Sequence, residues 1–485
     1  MPKIKITEVD NTGAIQLSST SNVVYIPGLS VSGNVAPFLY KSAKQLEGAS
    51  AQYVQEDSYA IAHRLLELGM QVLFEGCVGS GDITEEDRSF TSNILTAIDE
   101  DSGNEYSYFN VSGIGSDIEF VIGEDEITFK YGSESGDVYT VPVVGYVADF
   151  SDVPVENFDK VIKTATINLS YGTVVYTKEV TIKATSIASP NWKRLEDFNS
   201  YDIRFLTTGA YADVDTNGML SCAVHRGDCF ALLDHSKSVT SISSIRDSIE
   251  SKISSSSESD KAGAFSSAFT PWFNVYLDDT GKEFCVPGSV GYLLAYARSV
   301  QTNPSWYAVA GSFRGVIPGF VSPVVAFSKA DCEQLQARAA SGEVELDGAG
   351  DNEGIAINPI CNIRPFGYIV FGNRTLINNN GSTTATSFLN VRNLVSTLKK
   401  EMYATANKYT FEQNSEVLWI NFKSQITPLL DRMQSGNGIE GYKLVKQATD
   451  KKARLKAKVV IIPIEAVEDF ELEVSLEDSL EVVEG

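Results

Sequence analysis

The spacing of hydrophobic positions changes several times along the chain, and each change marks an element. Lys3-Ile4-Lys5-Ile6-Thr7 alternates polar and apolar, the period of a half-buried strand. Polar residues follow to about Asn22, enough chain to carry that strand away from the body. Val23-Val24-Tyr25-Ile26 predicts a buried strand closed by Pro27-Gly28. From Tyr59 to Leu73 the apolar residues Ile61, Leu65, Leu66, Leu68 and Met70 suit an amphipathic helix, and Val72-Leu73-Phe74 predicts a strand ending at Gly76.

Residues 81 to about 190 change character. Ile118–Ile122, Ile127–Tyr131, Val138–Val141 and Val174–Thr177 are short, β-branched and aromatic, and Gly, Asp and Ser turns separate them, which predicts an inserted β domain on the surface. Helix and strand signals then alternate. Asp202–Leu206 reads as a strand, Gly218–Val224 as a helix, Cys229–Leu233 as a buried strand and 241–254 as a helix. This order predicts an α/β core with parallel neighbours.

In the last third, Val391, Leu394, Val395, Leu398 and Met402 mark one helix, and Leu418, Phe422, Ile426, Leu429, Leu430 and Met433 mark another that Pro428 should kink or shorten. Asn437-Gly438 predicts a turn into a hairpin of Tyr442–Ala448 and Ala453–Ile462. In its second strand Ala453, Leu455, Ala457 and Val459 face inward, and Arg454, Lys456 and Lys458 outward. Finally Phe470, Leu472, Val474 and Leu476 alternate with Glu471, Glu473, Ser475 and Glu477, again with strand period. The fold class is therefore α/β to α+β and multidomain, and 485 residues allow about three domains.

Charge bears on the two ends. The chain carries 63 acidic and 39 basic residues, a net charge of −24, which argues against nucleic-acid binding. Lys443, Lys446, Lys451, Lys452, Arg454, Lys456 and Lys458 cluster in the hairpin, and no Lys or Arg follows Lys458. Charge runs of this kind are commonly solvated tails. Here the alternation from Phe470 to Leu476 assigns the first half of the acidic run to a strand, leaving Asp478–Gly485 loose. Six scattered cysteines fit free thiols in a reducing compartment. The N-terminus lacks an apolar signal segment, and no apolar stretch is long enough to span a membrane, so a protein made and assembled in a cytosol is expected.

Candidate chemistry is sparse. Cys222, His225, Cys229 and His235 have residue types that suit zinc. If Cys229–Leu233 is a strand rising ~3.3 Å per residue, however, Cys229 and His235 lie about 20 Å apart, and buried cysteines in an apolar strand are the preferred reading. Arg226-Gly227-Asp228 spells an adhesion tripeptide but fits a helix-to-strand turn. The glycines at Gly76–Gly81 and Gly348–Gly350 match neither the dinucleotide fingerprint nor the phosphate loop, and Asp347, Asp351 and Glu353 lack calcium-loop spacing. With three histidines and no nucleophile elbow, no catalytic residue, metal or cofactor is expected.

A series of short segments then resembles one family. Ala268-Phe-Thr-Pro271-Trp272-Phe273 and Val286-Pro287-Gly288-Ser289 are similar to a Pro-Trp strand and a Pro-Pro-Ser turn, with Gly288 replacing the second proline. Trp306-Tyr307-Ala308-Val309-Ala310-Gly311 is similar to Trp-x-Ala-Pro-Ala-Gly, with Val309 for proline. Gly372-Asn373-Arg374-Thr375-Leu376 resembles Gly-Ala-Arg-Thr-Leu, and Asn390-Val391-Arg392-Asn393-Leu394 resembles Asn-Val-Arg-Arg-Leu with Asn393 for the second arginine. Phe411-Glu412-Gln-Asn414 and Leu418-Trp419 fit the junction that follows. Together, in this order, they resemble the contractile tail sheath proteins of bacteriophages and related injection machines.

The resemblance implies an N-terminal arm (1–22), an α/β core (23–80 and 190–330) and an inserted β-rich outer domain (81–189). It further implies an inner C-terminal domain (331–464) of two helices and a sheet, completed by strands from neighbouring subunits, and a C-terminal arm (465–485). It implies a helical homopolymer around an inner tail tube that contracts to drive the tube through a host envelope. Inter-subunit strands would run through Lys3, Ile4, Lys5 and Ile6 and through Phe470, Glu471, Leu472, Glu473 and Val474. A helix carrying Lys399, Lys400 and Glu401 would meet the tube. Expected partners are further copies, the inner tube protein, and baseplate and tail terminator proteins, without nucleic-acid contact or membrane insertion. The expected place is the tail sheath of a virion, assembled in the host bacterial cytoplasm. Two alternatives are another structural protein of a phage tail or injection machine, and a metal-dependent enzyme using Cys222 and His225.

Overall fold

A computed structural model of the chain describes residues 22–89 apart from 32, the strands between 95 and 169, and residues 172–278, 281–336, 355–377, 385–448 and 455–464. The strands expected at Lys3–Ile6 and Phe470–Val474 lie outside the described residues.

The first strand, β1 (Val23–Leu29), is buried at every position. β2 (Val35–Tyr40), α1 (Ala43–Glu47), α2 (Asp57–Glu67) and β3 (Gln71–Cys77) follow. The helix expected to reach Leu73 stops at Glu67, because Gly69 takes φ 82° and turns the chain so that Met70 and Leu73 enter the core from the strand side. β4 (Gly79–Ser89) and β11 (Gly172–Ile187) then pair antiparallel as the two strands of a stem. Between them run β5 (Leu95–Ile98), β6 (Glu105–Phe109), β7 (Ile118–Ile122), β8 (Ile127–Gly132), β9 (Val138–Val143) and β10 (Lys160–Leu169). They form one sheet in the order β10-β11-β5-β6 and another in the order β7-β8-β9.

The chain re-enters its core with β12 (Phe205–Leu206), two residues long where five were expected, although the Arg204 backbone still bonds Val23 on one side and Phe230 on the other. α3 (Asn217–Arg226), β13 (Phe230–Leu233), α4 (Ile242–Ser254), α5 (Ser259–Ala262), β14 (Ser266–Thr270), β15 (Phe273–Tyr276) and β16 (Glu283–Val286) come next. They are followed by α6 (Gly288–Ser299), α7 (Gly311–Arg314), β17 (Phe320–Pro323), α8 (Lys329–Gln336), β18 (Asn358–Ile363) and β19 (Gly367–Val370). The C-terminal part is α9 (Leu389–Lys408), α10 (Glu416–Ser435), β20 (Ile439–Gln447) and β21 (Lys456–Pro463).

Eight strands make the main sheet, in the order β19-β18-β14-β13-β12-β1-β3-β2. The six inner strands are parallel, and β2 and β19 close the edges antiparallel. Both faces are covered, which is why the inner strands read as continuous apolar runs rather than as alternation. Val24, Ile26, Phe205, Phe230 and Phe269 pack on one side with α2 and α6. Val23, Tyr25, Leu206, Ala231 and Leu233 pack on the other with α3 and α4.

Two local expectations are corrected. Pro428 does not shorten α10, which runs unbroken from Glu416 to Ser435. Its side chain is exposed, so the carbonyl one turn earlier that loses its amide partner can turn to solvent. The six cysteines are not all free: Cys332 on α8 and Cys361 on β18 form a disulfide, while Cys77, Cys222, Cys229 and Cys285 are thiols. The bonded pair is 29 residues apart, and only the packing of α8 on the sheet brings it together.

Candidate functional site

In doubly wound sheets, ligands bind beyond the carboxyl ends of the strands where the strand order reverses. Here the order reverses between β1 and β12, and the chain's own groups fill that crevice. Glu56 caps α2 by accepting from Ser58 N (3.1 Å) and also accepts from Leu29 N (3.4 Å). The Ser58 hydroxyl accepts from Ala210 N (2.9 Å), and Gly209, at φ 65°, leaves no room for a Cβ against Ser58 and the Pro27 carbonyl.

A second helix N-terminus is filled in the same way. Asp234, at the end of β13, accepts from the backbone N–H (3.0 Å) and hydroxyl (2.5 Å) of Ser289 in the first turn of α6. Every residue of α6 except Arg298 is buried. Gly288, standing where the family pattern has proline, is required here because a Cβ would collide with the Phe269 carbonyl. Burial raises the Asp234 carboxyl to about 6, opposed by Ser289 and by Lys252, whose ammonium donates to the Asp234 and Ala212 carbonyls.

An unfolded aspartate titrates near pH 4. Folding therefore takes up a proton at Asp234 between about pH 4 and about pH 6, and stability falls as pH rises through that window. His235 contributes the opposite slope, since burial lowers its pKa. Asp234→Asn should remove only the Asp234 component, so denaturation midpoints across this range should show wild type losing stability relative to the variant as pH rises.

The sites flagged from sequence separate. His225 is half-exposed between Glu196 (3.0 Å) and Glu258 (3.4 Å), whereas Cys222 and Cys229 are fully buried. Among the described residues no group of three or more His, Cys, Asp or Glu is placed to hold a metal. Arg226 and Asp228 of the adhesion tripeptide are buried and bonded to each other at 3.0 and 3.1 Å, with Gly227 as the left-handed cap of α3.

The residues that carry the family resemblance converge instead on one joint between the sheet and the C-terminal helices. Asn358 on β18 donates to Ser267 Oγ (2.8 Å) and accepts from Arg374 N (2.7 Å), and a Cβ on Gly372 would collide with it. Asn373 donates to Asn390 Oδ1 (2.7 Å) at the start of α9, and the Arg374 guanidinium lies 4.6 Å from the Phe388 ring. Asn393, in place of the second arginine, is buried and donates to the Tyr292 hydroxyl (3.2 Å) on α6. The buried guanidinium at this joint comes from Arg204, which donates to Thr397 Oγ1 (2.8 Å) and the Asn393 carbonyl (3.4 Å).

Trp306, from the segment between α6 and α7, is buried between the end of α10 and the start of β20. Its indole N–H donates to the Gly436 carbonyl (3.0 Å), and a side chain on Gly438 would strike it. Around it pack Leu394, Leu398, Trp419, Phe422, Leu430 and Met433.

Lys400 is turned inward, whereas Lys399 stays exposed. Lys400 pairs with Asp202, donates to the Ile203 carbonyl (2.7 Å) and stands 3.7 Å from Asp228. Burial lowers its pKa, and the two carboxylates oppose that shift. Lys399 donates to the Gly227 carbonyl (2.7 Å), and Glu401 follows on the same helix at the wall of a cleft of about 670 Å³ that Phe198 and Tyr403 also line. Sequence spacing could not show these contacts, because every partner lies at least 170 residues away.

The hairpin of β20 and β21 is a two-stranded sheet, and among the described residues neither of its outer edges is paired. Its inner face sets Leu444, Ala457, Val459 and Ile461 against the helices, and Lys446 reaches Glu416 (2.6 Å). Its outer face pairs Lys443 with Val460 and Val445 with Lys458 across the strands. Val445, Val460 and Ile462 are exposed there. Phe411, in the turn between α9 and α10, is fully exposed at φ 74°.

Residues 382–477 match the family model of the phage tail sheath C-terminal domain. The tail sheath protein of Vibrio phage KVP40 is 26% identical over 173 residues, which is 36% of this chain and 22% of that protein. The chain thus aligns with about a fifth of that relative's length. Across 98% of the chain and 99% of the other, the fold matches the helical sheath of the anti-feeding prophage in its contracted state, at 12% identity and a TM-score of 0.52. The fold is that of a contractile sheath protein. Residues 382–477 are similar to the C-terminal domain of phage tail sheath proteins.

Proposed function

We propose that this chain is a structural subunit, not a catalyst, that polymerises as a helical tube around an inner tail tube and contracts to drive that tube through a host envelope. The observation that carries this reading is a sheath C-terminal domain whose hairpin has both edges open among the described residues. An open edge invites pairing, and added strands satisfy its backbone groups. The two arm strands are the proposed donors, supplied by neighbouring copies: Lys3, Ile4, Lys5 and Ile6 from one end, and Phe470, Glu471, Leu472, Glu473 and Val474 from the other. Lys443, Lys456 and Lys458 give the hairpin a basic outer face opposite in sign to Glu471 and Glu473. Such pairs contribute roughly 0.2–1 kcal/mol each and would favour register more than affinity. Two unlike surfaces on every copy generate an open helix.

In this reading 23–80 and 190–330 form the wall, 81–189 is the outer domain, and the inner tube meets α9 around Lys399, Lys400 and Glu401. The contact from Lys399 to Gly227 would be shared or exchanged when the tube binds. Baseplate and tail terminator proteins cap the polymer, which is assembled in the host bacterial cytoplasm, and contraction is a change of packing between folded subunits with the arms as hinges. Negative-stain microscopy of the purified chain tests the reading: striated tubes are expected. Monomers or unordered aggregates under all assembly conditions would count against it.

A further inference from the structure

We propose that Cys332 and Cys361 form a redox-made latch between α8 and the main sheet, open as a dithiol in a thiol-reducing medium and closed by a small disulfide oxidant such as oxidised glutathione. This goes beyond the sheath reading and does not depend on it.

The two halves of the latch are held very differently. β18 is paired on both sides, by β14 and β19, so Cys361 cannot leave without breaking the sheet. α8 is eight residues long. Among the described residues, besides the disulfide it is held by Leu335 in the core, by Arg246 donating to the Gln334 carbonyl (2.8 Å), by the Gln336 amide donating to the Phe371 carbonyl, and by Ile357 N donating to the Leu335 carbonyl (2.9 Å). Two helical turns with few anchors open locally at much lower free energy than the whole domain unfolds. Both sulfur-bearing residues are buried at 1% and 3% exposure, so reagents reach them when α8 lifts and not before.

The chain carries its own control. Cys222 and Cys229 are also fully buried, yet they remain thiols. They sit on α3 and just before β13, within the second core cluster, where only global unfolding admits a reagent.

The chemistry balances. One cysteine thiolate attacks a sulfur of oxidised glutathione, expels one glutathione thiolate and leaves a mixed disulfide. The second cysteine thiolate attacks the protein sulfur of that mixed disulfide and expels the other glutathione. The protein pair gives up two protons and two electrons, and one glutathione disulfide becomes two thiols. Closing a loop across 29 residues restricts the unfolded chain, so the oxidised protein should melt about 5 °C higher than the reduced one.

The test uses the full chain, first reduced with dithiothreitol below its melting temperature and then treated with oxidised glutathione. Differential alkylation and peptide mass spectrometry follow the thiols at each stage. Cys332 and Cys361 should become alkylatable together in the folded protein, while Cys222 and Cys229 stay protected until it melts. Oxidised glutathione should restore the 332–361 bridge and the higher Tm. In the Cys332→Ser/Cys361→Ser protein, Tm should no longer respond to reductant. Six alkylatable thiols after oxidation, a bridge using another cysteine, or equal labelling of Cys222 would each overturn the latch. So would a redox-dependent Tm in the double variant, or equal melting of the two states of the parent.

Discussion

Trp306→Ala is expected to lower stability by about 3–5 kcal/mol, the range for emptying a large aromatic site in a packed core. Trp306 is 3% exposed, and its ring fills the space that Gly436 and Gly438 leave open. Removing it abandons the Gly436 carbonyl and leaves a hole among Leu394, Leu430 and Met433 that helices anchored elsewhere cannot collapse to fill. Because Trp306 comes from the segment between α6 and α7 and its pocket from the C-terminal helices, the damage should concentrate at their junction. Limited proteolysis should cut first around α9 and α10 in the variant, and chemical denaturation should give the loss directly. Trp306→Phe, which refills most of the hole but cannot donate to Gly436, should lose considerably less. A Trp306→Ala protein as stable as wild type would mean that the joint does not depend on this plug.

That joint also marks the limit of what the sequence could reveal. The parallel core was legible because Val23–Ile26 and Phe230–Leu233 are uninterrupted apolar runs, and both become strands covered on two faces. The helices at Leu389–Lys408 and Glu416–Ser435 were legible from their periodicity, and the outward Lys456 and Lys458 from alternation. The motifs could be recognised, but their physical role could not. Asn358 bonds Arg374, Arg204 reaches Thr397, and Lys400 reaches Asp202 and Asp228, all across separations that local spacing does not encode. The disulfide escaped for the same reason. Pro428 does not shorten α10 because a helix that leaves proline facing solvent tolerates it, and periodicity alone does not show which way the residue faces.

Deletion of residues 1–15 is the second large expected effect: complete loss of tube formation with little change in stability. The truncated chain retains every residue of the described core clusters, from Val23 onward, and is expected to keep its fold. What it loses in this account is a donor strand for a neighbour's hairpin, with alternating Lys3, Ile4, Lys5 and Ile6. A polymer depends on that contact at every subunit, so removing one small element should abolish assembly rather than weaken it by a fraction.

The decisive measurement runs the full chain and the 1–15 deletion side by side through thermal melting, sedimentation and negative-stain microscopy. The account requires matching melting temperatures, striated tubes in the pellet of the full chain, and a soluble monomer from the truncation. Intact tubes from the truncated chain would contradict strand exchange as the basis of the assembly.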